Sequence, residues 1–402
     1  MDFDFATLTL LSIPLISAIV GWSTNFLALK MMFYPMEFVG IKPIFGWQGL
    51  IPAKRKEMAE IAAELVLGKL LNAKELAAKL EAKELTKVIE RRLKQVLRKI
   101  VDDVMRESAP KVWASMPVHG KNLVYARIEA DIPNIVNNMV DDFKHNVEEI
   151  VDIKELVVTK LSESPEIINE IFLKSGEKEF PFVEQSGFIF GLLFGFPTMF
   201  VWLYLPEWWV LPLGGLIVGY LTNWLALKVI FEPKYPTKVM GLTFQGMFLK
   251  RQDEVSRVYS EIIEAKLVTS ENILKTALYG SGSGQLLELM ELHVNDAIDR
   301  YVAFAQPYFT LGVGTEAYYK MREMSSKHIF ENSENYMPYA FEYIKKTLNI
   351  ADELSARMKK LSPEEFEGVL RPAYEADEWK LILTGSLLGM GAGFLQLYFV
   401  FM

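Results

Sequence analysis

Four long apolar runs dominate the pattern of hydrophobic and polar positions along the chain. They cover residues 5–29, 188–205, 208–227 and 381–402, and they contain almost no charge. Because about 20 apolar residues are enough to cross the hydrocarbon core of a bilayer, we predict four transmembrane helices. Only Pro206-Glu207, flanked by aromatic residues, separates the second run from the third, which predicts a tight transmembrane hairpin.

Two long polar inserts lie between these runs. From residue 57 to residue 105, apolar residues recur at helical spacing, including Leu85, Ile89, Leu93 and Ile100. Neither insert shows the sustained alternation that predicts strands, so we expect an all-α membrane protein with essentially no sheet. Mutual packing of the amphipathic helices is the default interpretation; pairing in an oligomer and covering of a hydrophobic ligand are the alternatives.

The predicted organisation has five segments. They are transmembrane helix 1 (1–33), a first cytoplasmic insert (34–186), a hairpin of helices 2 and 3 (187–231), a second cytoplasmic insert (232–379) and helix 4 (380–402).

The second half of the chain repeats features of the first half. Residues 20–30 recur as residues 218–228, an offset of 198, and Pro14 and Pro35 match Pro212 and Pro233 at that offset. Two copies in the same orientation predict an internal parallel duplication about an axis along the membrane normal.

The repeated motif places a Thr-Asn pair inside each of two spans: Thr24-Asn25 and Thr222-Asn223. An amide in hydrocarbon must find a hydrogen-bond partner, and we expect Asn25 to bond either Asn223 or backbone across the axis. The pair is interpreted as a clamp between helices. A polar constriction or a headgroup-binding site is the alternative.

Glycines stand one helical turn apart on the spans. This small-xxx-small spacing is typical of helix backbones that approach closely. The predicted packing residues are Gly187, Gly191, Gly195, Gly215, Gly219, Gly385, Gly389 and Gly393.

Basic residues follow the first and third runs. The predicted lipid-headgroup ligands are Lys30, Lys54, Arg55, Lys228, Lys250 and Arg251. Most of them close two apolar, Gly- and Pro-containing elbows, 34–52 and 232–249, which are too short to span and are expected along the interface. The alternative is a solvated elbow that merely obeys the positive-inside bias. That bias predicts a protein of the cell (inner) membrane whose inserts are cytoplasmic and whose two termini lie on the outer side.

Composition narrows the chemistry. A net charge of −8 argues against a nucleic-acid partner. The absence of cysteine excludes thiol catalysis, disulfides and zinc–thiolate sites, and the four histidines lack metal-ligand spacing. Acidic clusters such as Asp102-Asp103, Asp141-Asp142 and Glu375-Asp377-Glu378 are expected to be solvated. We therefore expect no enzyme activity, no cofactor and no metal.

Several motifs together resemble a known family. They are Thr24-Asn25-x-Leu27-Ala28, the Gln48-Gly49 elbow, and the closing stretch from residue 361 to Gly389. In these the chain is similar to the bacterial YheB-like membrane proteins, which share a domain of unknown function (445). The resemblance implies an integral protein of the cell envelope and supplies no activity.

Two functional hypotheses follow from the sequence. The first is a non-enzymatic multi-pass scaffold whose cytoplasmic amphipathic helices bind membrane lipids or a partner protein at the membrane surface. The alternative is a transporter or lipid-passage protein with Asn25 and Asn223 at the waist of a duplicated bundle. Four spans make a thin bundle, so this alternative requires a homo-oligomer.

Overall fold

The computed structural model describes residues 5–41, 45–239, 241–309, 315–371 and 378–401. Its contacts divide the chain into two compact units. Unit 1 contains Met1–Leu65, Val158–Ile262 and Leu354–Met402, and unit 2 contains Val66–Val157 and Ile263–Glu353. The division falls inside the polar inserts, because the first and last helices of each insert belong with the apolar helices of unit 1.

Unit 1 is built around four apolar helices. In chain order its described elements are α1 (Phe5–Phe33), β1 (Val39–Ile41), β2 (Phe45–Trp47), α2 (Leu50–Ala53), α3 (Arg55–Leu65), α8 (Ile153–Glu163, shared with unit 2), α9 (Pro165–Ser175), α10 (Glu179–Tyr204), α11 (Val210–Phe231), β3 (Thr237–Val239), β4 (Leu242–Phe244), α12 (Met247–Lys250), α13 (Gln252–Ile262), α18 (Ile350–Met358, shared), α19 (Pro363–Leu370) and α20 (Glu378–Gln396), which a π-helix extends over Leu397–Phe401.

The prediction of four apolar helices that can span a membrane is confirmed. Among the described residues, four helices are long and apolar enough to cross a bilayer: Thr9–Phe33, Glu179–Tyr204, Val210–Phe231 and Glu378–Phe401. They pack as two principal pairs, α1 with α10 and α11 with α20, and α10 also contacts α11.

The expectation of essentially no sheet is confirmed, with one local exception in each elbow. Each elbow contains a two-stranded antiparallel hairpin with three residues per strand. Val39 pairs with Trp47 in β1–β2, and Thr237 pairs with Phe244 in β3–β4. Strands this short cannot display the alternation that a sequence pattern needs.

Unit 2 is helical throughout its described residues. Its elements are a π-helix (Val66–Leu70), α4 (Ala73–Ala78), α5 (Ala82–Ser108), α6 (Pro110–Ser115), α7 (Val118–Ile150), a second π-helix (Ile263–Leu267), α14 (Ser270–Tyr279), α15 (Ser283–Phe309), α16 (Thr315–Glu331), two 3-10 turns (Ser333–Asn335 and Met337–Ala340) and α17 (Phe341–Leu348). The long helices α5, α7, α15 and α16 contact one another and turn their apolar faces inward.

Candidate functional site

The most prominent site is an apolar cavity of about 980 Å³ inside unit 2. The inward faces of the long helices form its walls, with Leu93 and Ile100 from α5, Ile132 and Val136 from α7, and Met290 from α15. The sequence pattern identified Leu93 and Ile100 as inward-facing. It did not reveal that the facing helices leave space between them.

The cavity extends along α7. Its lining runs from Leu123 to Val147 on this helix, about 36 Å at 1.5 Å per helical residue. Leu123 is 59% exposed, so the cavity reaches the surface at this end.

Polar groups gather at the same end. Arg127, Asp299, Tyr301 and Tyr318 all line it. The Tyr301 hydroxyl donates to Asp131 at 2.9 Å. Burial and this hydrogen bond raise the pKa of Tyr301 above its ordinary value of 10, because the Asp131 carboxylate accepts from the protonated hydroxyl.

Two arginine–aspartate pairs lie at this polar end. Arg300 donates to Asp131 at 2.9 Å, and Arg322 approaches the second carboxylate, that of Asp299, to 3.3 Å. Tyr318 also donates to Asp299, at 2.5 Å.

The opposite end of the cavity is apolar. It is lined by Ala73 and Leu76 of α4, Ala277 of α14 and Leu348 of α17, and no charged side chain of the described residues lines it there. The cavity as a whole therefore suits an amphipathic molecule with one polar end.

The predicted Thr-Asn clamps lie in unit 1. The Asn25 amide donates to the Val183 carbonyl at 2.7 Å, and the Asn223 amide donates to the Leu381 carbonyl at 3.0 Å. The side chains of Thr24 and Thr222 bond backward to carbonyls of their own helices.

Each Asn thus contacts the second apolar helix of its own half, and Asn25 and Asn223 do not bond each other. Both are almost fully buried, at 1% and 4% exposure. The Asn25 Oδ1 atom is buried without a hydrogen-bond partner among the described residues.

The predicted packing glycines lie where helices touch. At each of the eight, a Cβ added to the glycine would come within 2.0–2.5 Å of an atom of another helix. On α10, Gly187 faces the Gly21 carbonyl and Gly191 faces the Ser17 carbonyl. On α20, Gly389 faces the carbonyl of Gly215. Any side chain at these positions would force the backbones apart.

Lys30 and Lys228 occupy matching places at the ends of α1 and α11. Both are exposed, and each ammonium group lies over an aromatic ring one turn back. The Nζ atom of Lys30 is 4.8 Å from the Phe26 ring centroid, and that of Lys228 is 4.9 Å from the Trp224 centroid.

Arg251 differs from the expectation of a headgroup ligand. Its side chain is only 17% exposed, and it pairs with Glu179 at 2.5 Å and with Glu254 at 3.0 Å. Glu179 is itself 2% exposed. Arg251 therefore forms an internal ion pair with Glu179, which lies 72 residues away in sequence.

The other elbow cations differ in exposure. Lys250 is exposed, and Arg55 is half-buried. Lys54 approaches Glu57 only to 3.9 Å.

The acidic clusters do not assemble a metal centre in the described part of the chain. Asp102 accepts hydrogen bonds from the Trp113 indole at 3.0 Å and from the Tyr125 hydroxyl at 2.6 Å, which is a structural role. Glu375 and Asp377 lie outside the described residues.

Comparison with known proteins places the chain in a family context. Residues 15–119 match the family described as Protein of unknown function (DUF445). A UPF0754 membrane protein of Thermosynechococcus vestitus is 31% identical over 28% of this chain and 33% of its own length. UPF0754 membrane proteins of Picosynechococcus and Lysinibacillus sphaericus are 28% and 27% identical over 34% and 36% of this chain, and over 37% of their own lengths.

The matches to these relatives cover about a third of their length. No solved structure matches the chain. The resemblance expected from the Thr-Asn and Gln-Gly motifs is thereby confirmed: residues 15–119 match the DUF445 family, and the chain is similar to UPF0754 membrane proteins.

Proposed function

We propose that this protein is a multi-pass membrane protein that binds a lipid by holding a hydrocarbon chain in the cavity of unit 2. The observation that carries the proposal is the long apolar cavity, polar at one end only. Its volume lies at the upper end of the range of about 300–1,000 Å³ that is usual for small-molecule sites.

Energetics favour an occupant. Apolar walls that face water or vacant space lose the hydrophobic and dispersion contacts that an apolar occupant would restore. Water is a poor substitute, because each buried water needs about two to four polar partners and the apolar end offers few.

We also propose the finer organisation expected from the sequence. A parallel duplication is supported by the two Asn amides, each of which bonds a carbonyl 158 residues further along the chain. The Lys/Arg bias supports cytoplasmic inserts and outward termini in the inner membrane. The role we assign is non-enzymatic: a scaffold that holds or presents lipid.

Passage of lipid or solute past Asn25 and Asn223 is not favoured. Both amides are buried between helices and bonded to backbone, which is the geometry of a clamp. No specific contact of the described residues supports an open path there.

The proposal can be tested by photo-crosslinking in proteoliposomes. A phospholipid with a diazirine near the end of one acyl chain is irradiated with the full-length protein, and adducts are mapped by peptide mass spectrometry. We expect adducts on the inward faces of α5, α7 and α15 in addition to the four apolar helices. Adducts confined to the apolar helices would refute lipid binding by unit 2.

A matched pair of variants sharpens this test. Val136→Trp places an indole in the cavity, whereas Ala130→Trp places it on the exposed face of the same helix. We expect Val136→Trp to remove most unit 2 adducts and Ala130→Trp to leave them. Adducts on the apolar helices serve as the internal control in both variants.

A further inference from the structure

The hairpins in the two elbows expose apolar side chains. Val39 and Ile41, two residues apart on one face of β1, are 64% and 78% exposed, and Phe244 of β4 is 49% exposed. A lone two-stranded hairpin is marginally stable at best in water. Such hairpins need either a tether or a covering surface.

A tether is present in the first half. The Gln48 side-chain amide donates to the Met36 carbonyl at 2.9 Å, and the Gly49 amide donates to the Pro35 carbonyl at 2.9 Å. A Cβ at Gly49 would lie 2.7 Å from the Phe33 carbonyl carbon, so only glycine allows this approach to the end of α1. The Trp47 indole also donates to a carbonyl in the last turn of α1, at 3.3 Å.

The second half has the same tether. Gln245 donates to the Lys234 carbonyl at 3.2 Å, and the Gly246 amide donates to the Pro233 carbonyl at 2.9 Å. A Cβ at Gly246 would lie 2.6 Å from the Phe231 carbonyl carbon. The Gln-Gly motif therefore fixes each hairpin to the final residue of an apolar helix.

The ends of those helices are marked as an interface by their side chains. Lys30 over Phe26 and Lys228 over Trp224 put a cation and an aromatic ring in the last turns of α1 and α11. Aromatic rings and lysines are enriched where a spanning helix leaves the hydrocarbon. A hairpin bound to that turn is therefore held next to this interface.

We propose that β1–β2 and β3–β4 are interfacial anchors whose exposed apolar residues insert into the lipid surface. The partner is the headgroup–acyl boundary of the leaflet that α1 and α11 enter, where an amphipathic element sits about 5–10 Å deep. This anchoring is independent of any ligand in the unit 2 cavity. At the end of α11, Lys228 also pairs with Glu232 at 3.3 Å, so the apolar residues of the hairpins rather than the lysines carry the anchoring.

The natural absence of cysteine makes a direct test practical. Single variants Ile41→Cys and Phe244→Cys carry a nitroxide, and power-saturation EPR in proteoliposomes compares collisions with oxygen and with a water-soluble nickel chelate. Ile189→Cys, on the exposed face of α10, is the lipid reference, and Lys83→Cys, on the exposed face of α5, is the surface reference.

We expect both hairpin labels to give oxygen-to-nickel ratios several-fold above that of Lys83→Cys and below that of Ile189→Cys, in neutral and in anionic vesicles alike. Ratios equal to that of Lys83→Cys in pure lipid vesicles would overturn the proposal. They would point to a protein partner for the hairpins. An Ile41→Cys, Gln48→Ala double variant should lose the elevated ratio if the tether sets the depth, and a ratio unchanged by it would refute that part.

Discussion

Helices with apolar faces meet in opposite ways in the two units. In unit 1, α1 and α10, and likewise α11 and α20, touch through glycines, so carbonyl groups stand where side chains would otherwise be. In unit 2, Leu, Ile and Val side chains hold α5, α7 and α15 apart around about 980 Å³. The size of the residues at the facing positions decides whether helices close or leave room.

The largest expected effect comes from breaking a glycine contact. A Cβ at Gly389 would lie 2.1 Å from the Gly215 carbonyl oxygen, so Gly389→Leu should separate α11 from α20. We expect the free energy of unfolding to fall by more than about 4 kcal/mol, a range that is typical of severe core disruption. Unfolding in micelles, followed by circular dichroism, measures it.

The same helix supplies the control. A Cβ at Gly391 meets no atom within 4 Å, so Gly391→Leu should keep the wild-type unfolding midpoint. Equal destabilisation by the two variants would mean that glycine contacts do not hold this pair together.

Filling the space in unit 2 should have the next largest effect. A ligand that binds only the folded state stabilises it by about 2.7 kcal/mol at a hundredfold excess over its Kd. We expect a long-chain fatty acid or lysolipid to raise the unfolding midpoint of the wild type and of Ala130→Trp. Val136→Trp, whose indole occupies the cavity, should show no rise.

The response of Val136→Trp shows which of the two units binds the lipid. A ligand-dependent rise that persists in Val136→Trp would place the lipid on the apolar helices of unit 1 and would contradict the proposed function.

The comparison also shows where sequence reasoning stops. Spacing alone revealed the spans and the Thr-Asn pairs, because helical period and apolar length are local properties. The stripe containing Leu93 and Ile100 was recognisable for the same reason. The distance between facing stripes is not local, so mutual packing remained the default and the covering of a hydrophobic ligand stayed an alternative.

Two other features were hidden for related reasons. The hairpins have three residues per strand, too few for alternation to appear. The burial of Arg251 depends on Glu179, a partner on a distant helix, whereas the charge pattern favours an exposed elbow cation.

Removing a buried ion pair of unit 1 should lower the free energy of unfolding by a smaller amount. Glu367 is 4% exposed and pairs with Lys234 at 2.7 Å and with Arg371. At the matching position 198 residues earlier stands Asn169, a neutral amide that bonds the Phe33 carbonyl at 2.8 Å. The second half therefore uses charge where the first half uses a neutral hydrogen bond.

Glu367→Gln should lower the free energy of unfolding by about 1.5–3 kcal/mol, the usual contribution of hydrogen bonds to charged groups. A double-mutant cycle with Lys234→Met isolates the pair, because residues in contact are non-additive. Strict additivity would show that this contact is not needed, and that a neutral residue serves equally well in both halves.

The smallest effect concerns a surface carboxylate of unit 1. Hydrogen bonds from Arg251 and Lys178 lower the pKa of Glu254 to about 2, from an ordinary value of 4.5. A depressed pKa in the folded state contributes stability that is complete above pH 4.5 and is lost as pH falls towards 2. Glu254→Gln should therefore flatten the decline of the unfolding midpoint in this acid range.

Glu57, at the matching place in the first half, is 57% exposed and only 3.9 Å from Lys54, so Glu57→Gln should leave the decline intact. Identical acid profiles for the two variants would mean that the Arg251 network does not distinguish the second elbow from the first.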